Sequence, residues 1–124
     1  MLIDNHGREI NYLRLAVTDR CNLRCFYCMP ENGIKYMHRN DLLTFEEMTR
    51  LIRVFGDLGI SKIRITGGEP FVRKGIVDFL EDIAALKTVE EIHITTNGTF
   101  TLDQIPSLEK IGIKSINLSL DSLD

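Results

Sequence analysis

No apolar run in the 124 residues approaches the length needed to span a bilayer. The first residues, MLIDNHGREIN, lack the apolar core of a secretory signal. Neither sign of charge dominates: the formal net charge is −3, which gives no reason to expect nucleic acid or an anionic membrane as partner. There is no low-complexity segment and no sequence repeat. These absences leave a cytoplasmic globular protein as the expectation, and a hydrophobic fraction of 44% is enough for one core. The cysteines are only three, and all fall between positions 21 and 28. An odd number in so short a span is a poor disulfide framework. In a reducing compartment, clustered cysteines more often bind metal.

Against this plain background a rhythm stands out. Leu13–Val17, Ile63–Thr66, Ile92–Thr95 and Ile116–Leu120 alternate apolar with other residues and are rich in β-branched side chains, so each reads as a strand. Helical patterns separate them. Thr44 and Glu47 have the spacing of a capping box, and Phe45, Met48, Leu51, Ile52 and Phe55 form one apolar stripe, with Gly59 placed to end the helix. Ile76, Phe79, Leu80 and Ile83 make a second stripe. A third, weaker helix has Thr101 and Gln104 as its cap, Pro106 near its first turn and Gly112 as its stop.

The order βαβαβαβ predicts an α/β fold with parallel strands and sites at their carboxyl ends. If the helices cover one face, the apolar set Leu13, Leu15, Val17, Ile63, Ile65, Ile92, Ile94, Ile116, Leu118 and Leu120 must point to it. Arg14, Ala16, Arg64, Thr66, His93, Thr95, Asn117, Ser119 and Asp121 then share the other. A closed barrel of the common type fills its interior with branched aliphatics. Here that interior is polar and partly cationic, which suits a ligand bearing phosphates or carboxylates. The alternative is a sheet with one solvated face, usual for antiparallel pairing, against which the intervening helices argue.

The cysteines sit in Thr18-Asp19-Arg20-Cys21-Asn22-Leu23-Arg24-Cys25-Phe26-Tyr27-Cys28-Met29-Pro30, in the loop leaving the first strand. Three thiolates there can wrap one corner of a cubane, leaving its fourth iron open. A zinc site needs a fourth ligand, for which His38 is the nearest histidine, and three free structural cysteines are a further alternative.

The spacing C-x3-C-x-aromatic-C resembles the signature of the radical S-adenosylmethionine (SAM) superfamily. That resemblance implies a [4Fe–4S] cluster on Cys21, Cys25 and Cys28 and SAM on the open iron. Reductive cleavage of the sulfonium would then release a 5′-deoxyadenosyl radical that abstracts hydrogen from substrate. The cofactors carry the hard chemistry, and the protein positions and shields them. Gly67-Gly68-Glu69-Pro70, after the second strand, resembles the element whose backbone holds the SAM amino group in this superfamily. Asn117-Leu118-Ser119-Leu120-Asp121 closes the fourth strand, where Ser119 would meet the SAM carboxylate or ribose. Thr95-Thr96-Asn97-Gly98 closes the third, although Asn-Gly alone reads as a tight turn.

Within the superfamily, Arg14–Cys21, Cys25–Pro30, Leu42-Leu43-Thr44, Lys62–Pro70 and Asn117–Asp124 are most similar to the GTP 3′,8-cyclases of molybdenum-cofactor biosynthesis. That likeness implies Arg14, Arg64 and Thr95 as contacts to GTP. It implies Tyr27, through its backbone, with Gly68 and Ser119 as contacts to SAM, and an external electron donor. The bland reading of Arg64 is an ion pair with Glu69, and Arg73 and Lys74 read as solvated loop charges. The family's domain is a partial barrel of six βα units, followed by a segment with a second cysteine triad and a Gly-Gly tail. Residues 1–124 hold about four strands of it. The expectation is therefore a truncated partial barrel, inactive alone, whose exposed edge strand invites self-association.

Overall fold

The computed structural model describes residues 2–18, 42–98 and 101–118. Two-residue strands β1 (Leu2–Ile3) and β2 (Glu9–Ile10) pair antiparallel. There follow β3 (Tyr12–Ala16), α1 (Phe45–Asp57), β4 (Lys62–Thr66), a 3₁₀ turn (Pro70–Val72), α2 (Ile76–Ala84), β5 (Glu91–Thr96), α3 (Thr101–Ile111) and β6 (Ser115–Leu118). Strands β3, β4, β5 and β6 form one sheet in that order, every neighbour parallel. The predicted βαβαβαβ succession is thus the one observed.

The register sorts the side chains into two faces. Leu15, Ile65, Ile94 and Ile116 lie in one row, and Leu13, Ile63 and Ile92 in another. Ile63, Ile65, Ile92 and Ile94 are buried in one core with Met48 and Ile52 of α1, Phe79, Leu80 and Ile83 of α2, and Leu108 of α3. All three helices therefore cover the same face, with α2 packed against both α1 and α3. Removing such side chains from water contributes about 1.5–3 kcal/mol each. Leu118 shares the apolar parity but stays 61% exposed at the end of the edge strand β6, so the predicted apolar set holds in register more widely than in burial.

Local chemistry fixes the helix ends. The Thr44 hydroxyl accepts from the Glu47 amide (3.1 Å), and the Glu47 carboxylate accepts from the Thr44 amide (2.9 Å), completing the predicted capping box. Gly59 follows the last turn of α1 at φ +103°, the left-handed region that favours glycine. Leu51 departs from the predicted stripe: at the margin of the apolar arc it is 40% exposed, while Met48 and Ile52 are buried. In α3, Pro106 lies in the second turn rather than the first, because the helix already begins at Thr101. The missing amide there leaves one helical hydrogen bond unmade; burial of Leu108 anchors the helix regardless. The β1–β2 hairpin was not foreseen. Its turn is held by Asp4, whose carboxylate accepts from the amides of His6 and Arg8 (2.8 and 2.9 Å) and from Arg8 Nε (2.6 Å).

Among the described residues, no helix is long and apolar enough to cross a membrane.

Candidate functional site

The face that the helices leave bare carries the polar residues. Arg14 of β3 and Arg64 of β4 are register partners, and Arg64 in turn partners His93 of β5. Three nitrogen-bearing side chains thus cross three adjacent strands in one row. The row continues to Ser115 of β6, whose Oγ lies 2.5 Å from His93 Nδ1. The other ring nitrogen of His93 is 3.2 Å from the Glu91 carboxylate. This hydrogen bond is the main cause holding the Glu91 carboxyl below its usual range, helped by the charge of Lys62.

Arg64 is aimed by neutral groups. Its Nε donates to the Tyr12 hydroxyl (2.6 Å) and its Nη1 to Thr95 Oγ1 (3.1 Å). Glu69 is not its partner, contrary to the ion-pair alternative. Arg14 is exposed, with no hydrogen-bond or ion-pair partner among the described residues. Like charges directly opposite on neighbouring strands oppose pairing unless something anionic lies between them. A guanidinium is also the side chain whose donors match phosphate or carboxylate oxygens two at a time. Arg14, Arg64 and Thr95, all expected as substrate contacts, are brought together on this face.

At the carboxyl ends of the strands, three loops are stitched to one another. The Thr18 carbonyl accepts from the Gly68 amide (2.8 Å), and the Val17 amide donates to the Thr66 carbonyl (3.0 Å). Gly67 has φ +141°, and a Cβ there would lie 2.4 Å from the Thr18 carbonyl oxygen. Only a glycine lets the second loop approach the first this closely. The Gly68 amide is therefore engaged. Its carbonyl, on an exposed residue, meets no donor among the described residues, and a carbonyl is the group an ammonium needs.

Glu69 then ties the second loop to the third. Its carboxylate is wholly buried, with the Thr96 hydroxyl against both oxygens and the Asn97 amide donating at 3.1 Å. Gly98, at φ +86°, completes the Asn-Gly turn, its amide donating to Thr96 Oγ1 (3.2 Å). Arg73 is likewise no solvated charge. It donates to the carbonyls of Val17 and Leu43, both at 2.7 Å, and lies 4.2 Å over the Phe45 ring. Desolvation lowers its pKa from the usual arginine value. Sequence patterns missed the roles of Tyr12, which aims Arg64 from the amino end of β3, and of Glu69 and Arg73, which tie the loops at the carboxyl ends. The only signal for them was position next to residues already singled out.

Cys21, Cys25, Cys28, Tyr27 and Ser119 lie outside the described residues, as does His38 of the zinc alternative. The stretch that holds the cysteines leaves the sheet at Thr18, directly beside Gly67 and Gly68.

Comparison with known proteins agrees with this layout. Residues 15–124 match the family described as the radical SAM superfamily. The chain belongs to the radical SAM superfamily. Among curated relatives, the GTP 3′,8-cyclase of Desulforamulus reducens is 50% identical over 123 residues, which are 99% of this chain and 38% of that protein. The GTP 3′,8-cyclase of Geobacter sulfurreducens is 52% identical over 122 residues, 98% of this chain and 37% of that protein. The chain thus spans little more than a third of the length of these relatives. Among solved structures, BtrN in an open conformation superposes with a TM-score of 0.66 at 20% identity, over 94% of this chain and 53% of that one. BtrN in complex with AdoMet and 2-DOIA gives 0.64 at 19%, over 90% and 46%. At such identities these likenesses bear on fold alone.

A [4Fe–4S] cluster and SAM are the cofactors that go with this superfamily. The described residues fit them: a backbone cradle that excludes a Cβ at Gly67, an exposed carbonyl at Gly68, and a start for the cysteine stretch at the same strand ends.

Proposed function

We propose that this chain carries the cluster- and SAM-binding part of a GTP 3′,8-cyclase. In the whole protein this is the enzyme that converts GTP to 3′,8-cyclo-7,8-dihydro-GTP for the molybdenum cofactor. Cys21, Cys25 and Cys28 hold the cluster, with Tyr27, Gly68 and Ser119 on SAM and Arg14, Arg64 and Thr95 on GTP. The cofactors, when bound, supply the radical that removes hydrogen from the ribose. The residues themselves bind and orient. The Gly68 carbonyl would accept from the SAM ammonium. Arg14 and Arg64 neutralise phosphate oxygens, and Tyr12 with Thr95 keeps the Arg64 fork facing the polar side of the sheet.

One observation carries this reading. Two arginines lie in register on the bare face, one without a partner among the described residues, beneath a glycine cradle. Such a row calls for an anion of phosphate type, and relatives near 50% identity are named for GTP. The same reading places the protein in the cytoplasm, supplied with electrons by an external donor, with β6 as an edge open to further sequence or to a second copy. The test is anaerobic reconstitution with iron and sulfide, reduction, and electron paramagnetic resonance with and without SAM. A [4Fe–4S] signal that changes on adding SAM supports the reading. A cluster indifferent to SAM, or zinc in its place, sinks it for this chain.

A further inference from the structure

The chain leaves β3 through Val17 and comes back at Leu43, just before the Thr44 cap of α1. Everything between, including Cys21, Cys25 and Cys28, belongs to one excursion. Among the described residues, one side chain bonds to both of its ends. Arg73 Nη1 donates to the Val17 carbonyl and Nη2 to the Leu43 carbonyl, each at 2.7 Å. The guanidinium rests 4.2 Å over Phe45, and Phe45 stacks on Phe79 at 4.7 Å and 16°. Since Phe79 is buried in the core, the fork stands on a rigid base. Arg73 itself sits in the turn that follows the 3₁₀ segment, so it is fixed in turn by the loop that carries Gly67 and Gly68.

Arginine suits this task and lysine does not. A planar fork presents two donors at a set spacing to two acceptors, whereas an ammonium is a point charge on a flexible stem. Neither carbonyl belongs to a carboxylate, so charge pairing is not the reason for a cation here. The reason is geometry. A cavity of about 440 Å³ opens beside the fork, bordered by Thr18, Leu42 and Phe45, so the side chain is held by its bonds more than by crowding.

We propose that Arg73 is a positioning residue for the cysteine-bearing excursion: by fastening its two ends, it fixes the span over which the three thiolates converge on one cluster. This rests on the assignment of the cluster to Cys21, Cys25 and Cys28 made above. An unfastened excursion samples more end separations, and cluster assembly then competes with a larger ensemble.

The test compares the wild-type chain with Arg73→Lys and Arg73→Ala in two arms. In the first arm, on cluster-free protein, the rate of tryptic cleavage at Arg20, Arg24, Lys35 and Arg39 is measured. It should rise tenfold or more in Arg73→Ala, which loses both hydrogen bonds, since loss of one such bond already implies roughly tenfold. Arg73→Lys, which keeps the charge but reaches one carbonyl, should fall between. In the second arm, iron and sulfide bound per chain after reconstitution should drop in the same order, with a broadened cluster resonance. Unchanged cleavage and unchanged cluster content in Arg73→Lys overturn the proposal. If Arg73→Ala does not fold, Arg73→Lys decides alone. A wild-type chain that takes up no cluster refutes the cluster assignment, and the cleavage arm still tells whether Arg73 fastens the excursion.

Discussion

Arg14 and Arg64 stand directly opposite each other on neighbouring parallel strands, on the face turned away from α1, α2 and α3. Apart from a ligand, that arrangement is unfavourable. Among the described residues, Arg64 is tied only to the neutral Tyr12 and Thr95, and no carboxylate bonds to either arginine.

Neutralising one member should therefore do two opposite things. Arg14→Gln should stabilise the ligand-free chain by about 0.2–1 kcal/mol, the size of a cross-strand charge effect. The gain should shrink as salt screens the pair. The same change should weaken GTP or inorganic triphosphate binding about tenfold or more, since hydrogen bonds to charged groups are worth about 1.5–3 kcal/mol. Urea unfolding at low and high salt, with calorimetric titration of triphosphate, measures both. A variant less stable than wild type and equally good at binding would show that the pair is not an anion site.

Gly67→Ala should be costly for two reasons. The new Cβ meets the Thr18 carbonyl oxygen at 2.4 Å, and φ is +141°. Backbone strain of this kind is worth about 1–3 kcal/mol, and forced displacement of a packed neighbour about as much again. Gly7→Ala is the control, because it shares a positive φ (+78°) with nothing within 4 Å. The thermal midpoint should fall clearly further for Gly67→Ala than for Gly7→Ala. Equal losses would mean that the contact between the first two loops is not tight.

Glu69→Ala should destabilise the chain by about 1.5–3 kcal/mol, the value of hydrogen bonds to a charged group. The carboxylate is fully buried against Thr96 and Asn97. Chemical denaturation with an unchanged slope is the measurement. A loss below about 0.5 kcal/mol, the level of an ordinary surface substitution, would contradict this account of the second and third loops.

The capping box of α1 predicts a pH dependence. The Thr44 backbone amide, and then its hydroxyl, hold the Glu47 carboxyl below its usual value. A depressed folded value contributes stability above the unfolded carboxylate pKa, near 4.3, that is lost as the pH falls through the folded value. Glu47→Gln keeps an acceptor for the Thr44 amide but has no proton to gain. Its stability should vary less than wild type between about pH 6 and pH 3. Parallel curves for the two proteins would remove Glu47 from the acid response.

What the sequence revealed, and what it hid, follows physical lines. Strict alternation in Ile63–Thr66 and Ile92–Thr95 dictated both faces, because a one-residue slip would have exposed every isoleucine. The Thr44–Glu47 box was equally plain, being local. Arg73 and Glu69 were opaque for the opposite reason. Their partners lie 56, 30 and 27 positions away, and two of them are backbone carbonyls, which no residue pattern announces. The β1–β2 pair escaped because two residues are too few to show any period. Pro106 was placed too early, since its cost was weighed without the buried Leu108 that offsets it.

Spatial and sequential order coincide in the sheet, and this sets a timetable for its assembly. Joining β5 to β6 brings Ile94 to Ile116, joining β4 to β5 brings Ile63 to Ile92, but joining β3 to β4 must bring Leu13 to Ile63. That last ring of chain is roughly twice as long as the first, which adds about 0.6 kcal/mol of closure entropy. Strands β4, β5 and β6 should thus condense first, with β3 docking onto a finished edge. Ile92→Val should then slow folding, while Leu13→Ala should mainly hasten unfolding. The strand that leads into the cysteines is, on this timetable, the last to be seated, so a cluster held by them would be taken up only late in folding.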